Sequence, residues 1–484
     1  MKRFDEDNNR SKAIRMGWNN VASEHFDVAI IGAGQAGGPL ASAFANGGKS
    51  TVIIERAHVG GTCVNEGCTP TKTMIASGDI AYRAKRGADF GVETGDISIS
   101  MTKIRNRKRA NVKIWREGSE KGLHDTEGVS LLMGEARFTG PKDLHVTMND
   151  GGERQISADT IVVNAGERPG PLKASGAEAV PFLTSTSIME LDEVPGHLIV
   201  VGGGYVGLEF SQLFRRLGSD VTIIQHGKQL LSREDPDIAE EMRKVLEEDG
   251  LTIHLNSQTT SVSGTDGAIE LTIAQNGRQE IITGTHLLAA AGRIPNTDSI
   301  DLDKAGVETD DHGYILTDDF LETNVPGVYA VGDVRPGPKF THISYDDYRV
   351  LQTNLIDGGH RSIEGRQVPY VVFTEPQLGR IGLSEQDAKK QRIVYRIASM
   401  PMSSVARAYE VDEPRGVMKV LVEPKTERIL GAAIFGLDGG EIMAMLQIAM
   451  LGDLPFTTLR DGIWAHPTLA EGLNNLFFSF QDPS

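Results

Sequence analysis

A chain of 484 residues has length for several domains, each with its own core. Its 49 Lys and Arg against 66 Asp and Glu leave a formal net charge of −17, which disfavours nucleic acid and anionic membrane as partners. No stretch approaches 18 uninterrupted apolar residues, so no spanning helix is expected, and two cysteines do not make a secreted disulfide scaffold.

In chain order, residues 1–25 come first. They scatter Arg and Lys among Asp and Asn, lack the apolar stretch of a secretory leader, and read as a loosely docked polar arm. Next, the short apolar run Phe26–Ile31 feeds Gly32-Ala-Gly34-Gln-Ala-Gly37, a helix to about Asn46 and a second apolar run ending at Glu55. A strand, a Gly-x-Gly-x-x-Gly turn and a helix bring backbone N–H groups and a positive helix end against a pyrophosphate. Gly32 makes the tight turn, Gly34 lets the phosphate approach, and Gly37 lets helix pack on sheet. Glu55 stands where a carboxylate accepts ribose hydroxyls, so the unit is expected to bind a dinucleotide.

The cysteines follow in Gly60-Gly61-Thr62-Cys63-Val-Asn-Glu-Gly-Cys68-Thr-Pro-Thr-Lys72. A close pair at a helix start can shuttle between dithiol and disulfide, and the helix end lowers a thiol pKa. Structural zinc needs four ligands, and no His or Cys cluster accompanies this pair. No histidine spacing elsewhere suggests a metal, so none is assigned.

The strand–glycine–helix unit then recurs. Leu198–Val201 leads into Gly202-Gly-Gly204-Tyr205-Val-Gly207, a helix to about Leu217 and the run Asp220–Ile224. At the position matching Glu55 stands Gln225, with His226 and Lys228 behind it. A neutral side chain there does not repel a 2′-phosphate, and the two bases could pair with it, which leans towards NADPH over NADH. Two apolar strands ending in Ala-Gly, Thr160–Gly166 and His286–Gly292, flank this second unit and read as its crossings with the first domain. Gly327–Asp333 is a buried strand closing on an acid. From about Gln367 short strands mix with amphipathic helices, ending in Trp464-Ala-His466-Pro-Thr-Leu-Ala-Glu471. His466, with Glu471 five residues on in what should be a helix, makes a candidate acid–base pair. The expected segments are an arm at 1–25, a first domain split over 26–159 and 291–366, an inserted domain at 160–290 and a separate domain at 367–484.

These segments together resemble the class I pyridine nucleotide–disulfide oxidoreductases: glutathione reductase, dihydrolipoyl dehydrogenase and mercuric reductase. The likeness runs from about Phe26 to Phe480. It implies an α/β protein with two Rossmann-like dinucleotide-binding domains, for FAD and NAD(P), and a C-terminal α+β dimerisation domain. Gly32, Gly34, Gly37, Glu55, Gly61, Thr62, Lys72, Ala136, Gly166, Asp333 and Thr341 fall at FAD-contacting positions. Gly202, Gly204, Tyr205, Gly207, Glu209, Gln225, His226, Lys228 and Gly292 fall on the nicotinamide side, Gly292 in the second crossover beside Arg293. The resemblance also implies that Lys72 pairs with Glu209, that Tyr205 covers the nicotinamide pocket, and that a hydride passes to FAD and on to Cys63–Cys68. Cys68 would be the charge-transfer thiolate and Cys63 the thiol that attacks substrate. His466 and Glu471 would serve the partner subunit of a cytoplasmic homodimer.

The sequence departs from each relative. The C-terminus reads Phe478-Ser-Phe-Gln-Asp-Pro-Ser484, without the cysteine pair of mercuric reductases, and the N-terminal arm is short for their metal-binding domain. Gln225 replaces the acid usual in dihydrolipoyl dehydrogenases. Glutathione reductases place arginines near positions 225 and 231 for the phosphate, and here Gln225 and Leu231 replace them. Phe340–Arg349 and Ala406–Glu410 resemble the mercuric reductase-like branch that includes reactive-chlorine-resistance reductases, associated with copper(II) and hypothiocyanite reduction. The expected substrate is a small disulfide or another thiol-reactive oxidant. A metal-ion reductase and a dihydrolipoyl dehydrogenase are the alternatives, and a redox sensor with little turnover is a third, suggested only by the polar arm.

Overall fold

The computed structural model describes residues 23–480, so all but the last three residues of the expected polar arm lie outside the described residues. The first sheet is built on β1 (Glu24–Ile31), whose second half is buried. β1 pairs in parallel with β2 (Thr51–Glu55), which pairs with the first five residues of β3 (Val129–Gly140). On the other side β1 pairs in parallel with β5 (Glu153–Val163), and β15 (Val328–Ala330) adds beyond it. The rest of β3 turns through β4 (Asp143–Met148) into the start of β5 as an antiparallel meander. Val28–Ile31 and the whole of β2 are buried, as β-branched strands covered on both faces should be.

A boundary between 159 and 160 is not what this sheet shows. Thr160–Val163 is the buried end of β5, registered against Val28–Ile31. The chain crosses just after it. β6 (Glu167–Pro169) pairs with β14 (Arg293–Pro295) in a two-stranded antiparallel ribbon joining the two crossings. The two apolar runs are strands as expected, one in each unit, and the chain crosses at the ribbon that follows them.

The second unit repeats the plan. β7 (His197–Val201), β8 (Asp220–Ile224), β9 (Thr252–His254) and β13 (His286–Ala289) form a parallel sheet in the order β13-β7-β8-β9. A meander of β10 (Ser257–Thr265), β11 (Ala268–Gln275) and β12 (Arg278–Gly284) accompanies it. The C-terminal unit is an antiparallel sheet, β16 (Tyr370–Val372), β17 (Gln377–Gly382), β20 (Ile429–Gly436), β19 (Val417–Val422) and β18 (Arg396–Pro401) in spatial order.

Helices α1 (Gly37–Asn46), α2 (Gly61–Asn65), α3 (Cys68–Lys85) and α4 (Met101–Asp125) belong to the first unit. In the second, α5 (Tyr205–Leu217) follows the glycine turn and α6 (Pro236–Glu248) precedes β9. After a short α7 (Leu302–Ala305) comes α8 (Thr341–Leu355). The last unit carries α9 (Glu385–Gln391), α10 (Ala406–Glu410), α11 (Gly439–Leu451), α12 (Phe456–Arg460) and α13 (Gly472–Phe478). No helix among the described residues is long and apolar enough to cross a membrane.

The two glycine turns share one construction. Gly32 has φ +101° and Gly202 φ +120°, left-handed conformations that favour glycine. A Cβ on Gly32 would press into the Asn164 carbonyl oxygen, and one on Gly202 into that of Ala290. A Cβ on Gly37 or Gly207 would strike the carbonyl of its own turn's first glycine. Each first glycine therefore fits the turn against the next strand, and each third glycine seats the helix.

Candidate functional site

The first glycine turn, the cysteine segment, the crossing ribbon and the start of α8 enclose a cavity of about 590 Å³. Gly32, Gly34, Glu55, Gly61, Thr62, Cys63, Cys68, Lys72, Ala136, Gly166, Tyr205, Glu209, Asp333 and Thr341 all line it. Residues scattered over some 310 positions of sequence thus meet around one cavity. Gly61 brings the cysteine segment onto the glycine turn, since a Cβ there would lie 2.7 Å from the Gly34 Cα.

Cys63 lies in α2, and Cys68 is the first residue of α3. Both are free thiols. The Cys63 thiol, hydrogen-bonded to Cys68, lowers the Cys68 pKa to about 6, helped by the Thr341 hydroxyl and the Lys72 charge against the opposing effect of burial. Cys68 Sγ stands 3.4 Å from Thr341 Oγ1. Cys63 moves the other way: the shared hydrogen bond and burial hold its proton on. Of the two sulfurs, Cys68 is the one held towards thiolate and Cys63 the one held towards thiol.

Lys72 Nζ lies 2.6 Å from Glu209 Oε2, linking α3 to α5, with the Glu209 side chain only 2% exposed. The other Glu209 oxygen accepts from the Phe373 N–H at 3.0 Å, and the Lys72 ammonium sits 4.7 Å from the Phe373 ring centroid. Tyr205, the first residue of α5, remains 37% exposed, and burial with the nearby Glu167 charge pushes its phenol up to about 12. It stays a protonated, apolar-faced ring against Phe340, at a centroid distance of 6.1 Å.

The cavity fits FAD in its donors and its empty spaces. Asp333 Oδ1 is buried without a hydrogen-bond partner. Burial, then the Glu167 charge, push its carboxyl up to about 6. A ribityl hydroxyl would satisfy that oxygen, and an unpartnered buried acceptor is otherwise costly. Glu55 accepts the Ala33 N–H at 2.9 Å with one oxygen and the Ala57 N–H at 2.8 Å with the other, leaving lone pairs for ribose hydroxyls. No protein atom lies within 4 Å of where a Cβ on Gly166 would stand.

Of the residues expected on the nicotinamide side, Tyr205, Glu209 and Arg293 reach this cavity. Gly202, Gly204, Gly207, Gln225, His226, Lys228 and Gly292 do not line it. Gln225 is buried, accepting the Gly203 N–H at 3.1 Å and donating to the Gln229 carbonyl at 3.1 Å. His226 and Lys228 are exposed beyond it. Leu231 is buried, and its N–H donates to the Gly203 carbonyl at 2.9 Å, so this position braces the turn.

His466 Nδ1 lies 2.8 Å from Glu471 Oε2, with the imidazole side chain 67% exposed. Glu471 is the residue before α13 and not within a helix as the spacing suggested. Neither residue lines the cavity of its own chain. Among the described residues no group of three or more His, Cys, Asp or Glu gathers as a metal site.

Two positions, Asn164 and Glu167, escaped the sequence reading. Asn164 Nδ2 donates to the Gly32 carbonyl at 3.0 Å, tying β5 to the first turn. Glu167 and Arg293, one on each strand of the crossing ribbon, pair at 2.6 Å beside the cavity, where Tyr314 donates to Glu167 at 3.3 Å. The sequence signal for Glu167 was a charge directly after the first Ala-Gly, matching Arg293 after the second.

Comparison with known proteins agrees with this geometry. The pyridine nucleotide-disulphide oxidoreductase family matches residues 26–347, and its dimerisation domain matches 368–477. The probable pyridine nucleotide-disulfide oxidoreductase RclA of Escherichia coli (strain K12) is 33% identical over 456 residues, spanning 93% of this chain and 98% of its own. A mercuric reductase of Lysinibacillus sphaericus is 32% identical over 485 residues, spanning 99% and 88%. Dihydrolipoyl dehydrogenase 1, mitochondrial, of Arabidopsis thaliana is 33% identical over 477 residues, spanning 98% and 94%. A solved Cu(II) complex of RclA, an HOCl-induced flavoprotein disulfide reductase of Escherichia coli, matches with a TM-score of 0.85 at 32% identity, covering 94% of this chain and 99% of that one. The chain belongs to the pyridine nucleotide-disulphide oxidoreductase family, as an FAD-dependent, NAD(P)H-linked flavin disulfide reductase with a C-terminal dimerisation domain.

Proposed function

We propose that this protein, as a homodimer in the cytoplasm, uses the Cys63–Cys68 pair to reduce a small disulfide or another thiol-reactive oxidant. The carrying observation is that Cys63 and Cys68 both line the cavity, with Cys68 Sγ 3.4 Å from Thr341 Oγ1, its pKa lowered and that of Cys63 raised. Gly32, Gly34, Gly37, Glu55, Gly61, Thr62, Ala136, Gly166, Asp333 and Thr341 are the residues that would hold FAD, with Lys72 beside Cys68. When bound, FAD would supply the two-electron chemistry that links a nicotinamide to the Cys63–Cys68 pair.

The chain's own steps are thiol exchange. Cys63 loses its proton, and its sulfur forms a bond to one substrate sulfur while the substrate disulfide breaks. The departing thiolate takes a proton. Cys68 then attacks the Cys63 sulfur, closing the Cys63–Cys68 disulfide and releasing the second substrate thiolate. Because Cys63 holds its proton tightly, a base is needed. We assign this to the partner subunit's His466, oriented by Glu471. The support is its exposure, its absence from the lining of its own chain's cavity, and the exposed Ile463, Phe478, Ile448 and Leu451 of the same unit. Gly202, Gly204, Gly207 and Gly292 would shape the coenzyme site, and Tyr205 would cover it. Gln225, with His226 and Lys228, favours NADPH.

A second reading, metal-ion reduction, is favoured by the Cu(II) complex solved for RclA. Titration of the FAD-loaded enzyme with NADPH and NADH, then turnover against glutathione disulfide, lipoamide, mercuric ion, copper(II) and hypothiocyanite, separates the readings. Turnover on a disulfide or hypothiocyanite that disappears in Cys63→Ser is expected. Turnover on metal ions alone overturns the disulfide reading, and turnover on lipoamide with NAD points to dihydrolipoyl dehydrogenase.

A further inference from the structure

Helices α3 and α5 run side by side in the same direction, joined by two ion pairs. Lys72 meets Glu209 at 2.6 Å, and seven residues further along each helix Asp79 meets Arg216 at 2.5 Å. Seven residues are two turns, about 10.5 Å of rise, so both pairs stand on the same face of each helix. The sign reverses between them. α3 supplies the cation at the first pair and the anion at the second. A two-turn slip would set Asp79 against Glu209, or Lys72 against Arg216, and a one-turn slip would break both pairs. Between the pairs, Gly78 lets α5 come close, since a Cβ there would lie 2.8 Å from Leu213 Cδ1.

The second pair is held from several sides. The Arg216 side chain is 3% exposed. It donates to the Glu375 carbonyl at 3.2 Å, stacks 4.2 Å from the Tyr82 centroid and lies 3.9 Å from Asp249. Lys85 Nζ donates to the Arg216 carbonyl at 2.8 Å. Ten of the thirteen residues of α5 are buried, Arg216 among them. A buried guanidinium that loses its carboxylate is expensive, so this contact resists slipping.

We propose that Asp79 and Arg216 are a positioning pair for the redox site: they fix the register of the helix bearing Cys68 and Lys72 against the helix bearing Tyr205 and Glu209, and so fix where the Lys72 ammonium stands. The consequence for turnover rests on the disulfide-reductase reading; the register itself does not. Lys72 and Glu209 are among the main influences on Cys68, and Asp79 and Arg216 are not.

The test is the pH titration of the Cys68 thiolate, read from its long-wavelength charge-transfer absorbance in the reduced, FAD-loaded enzyme. It is made in wild type, Asp79→Asn, Arg216→Met, the double variant and Arg216→Lys. Loosening Lys72 raises the midpoint, so both single changes are expected to raise it by about half a pH unit. The double variant should go no further than either single one, and Arg216→Lys should recover most of the shift. A direct field effect predicts opposite directions, because Asp79→Asn removes a negative charge and Arg216→Met a positive one. Opposite shifts, or an unmoved midpoint with only a lower Tm, overturn the proposal. Should wild type turn over no acceptor while these shifts still occur, the functional reading fails and the positioning pair stands. Asp79→Asn keeps the shape of the side chain and covers the case in which Arg216→Met does not fold.

Discussion

Glu55 and Gln225 occupy matching ends of matching strands, and each accepts the N–H of the second residue in its own glycine turn, from Ala33 at 2.9 Å and from Gly203 at 3.1 Å. One is a carboxylate and the other a carboxamide. The turn-bracing role is common to both; only the charge presented to a ribose differs.

That difference makes coenzyme choice testable. Gln225→Glu keeps an acceptor for Gly203 but adds a negative charge where a 2′-phosphate would lie. The ratio of kcat/KM for NADPH to that for NADH is expected to fall about tenfold, roughly 1.4 kcal/mol of discrimination. Stopped-flow rates of coenzyme oxidation measure it, and an unchanged ratio places the phosphate elsewhere.

The thiolate should be visible as a titration. In the reduced enzyme Cys68 is expected to ionise with a midpoint of about 6. Lys72→Met removes the cation and leaves Glu209 near the sulfur, so the midpoint rises. Thiolate absorbance against pH checks both statements, and a lower midpoint in the variant contradicts the role given to Lys72.

His466 should act across the dimer. His466→Gln is expected to slow disulfide turnover by about 10²–10⁴-fold, the usual range for losing a general acid–base group. Metal-ion reduction, which has no leaving thiol to protonate, should be largely spared. Mixing Cys63→Ser subunits with His466→Gln subunits rebuilds one complete site per heterodimer, with activity near half that of wild type. No recovery in purified heterodimers excludes a contribution from the partner.

Asp333 links the cavity to stability. Its carboxyl is raised from 3.8 to about 6, so the folded apoprotein holds more protons than the unfolded chain between those values. Its contribution is full below about pH 4 and is lost as pH rises through about 6. Asp333→Asn should therefore make the apoprotein more stable than wild type at pH 7.5, by about 1–3 kcal/mol, with little difference at pH 4. Denaturant midpoints at the two pH values decide it.

Local features could be read without a fold. A left-handed glycine, a third glycine under a helix, and a cysteine five residues from another are set by backbone sterics within a few residues, and they were legible as text. The family resemblance added the pairing of Lys72 with Glu209. Packing alone decided the rest. That Thr160–Val163 completes the first sheet depends on its register with β1, which no spacing encodes. Gln225 turns inward because Gly203 offers a buried N–H, and His466 stays outside its own chain's cavity because α13 packs in the C-terminal unit. Asp79 and Arg216 are 137 positions apart and carry no motif. Only two helices laid in register turn a charge on each into a contact, because ion pairing falls away within a few ångströms while sequence separation sets no distance.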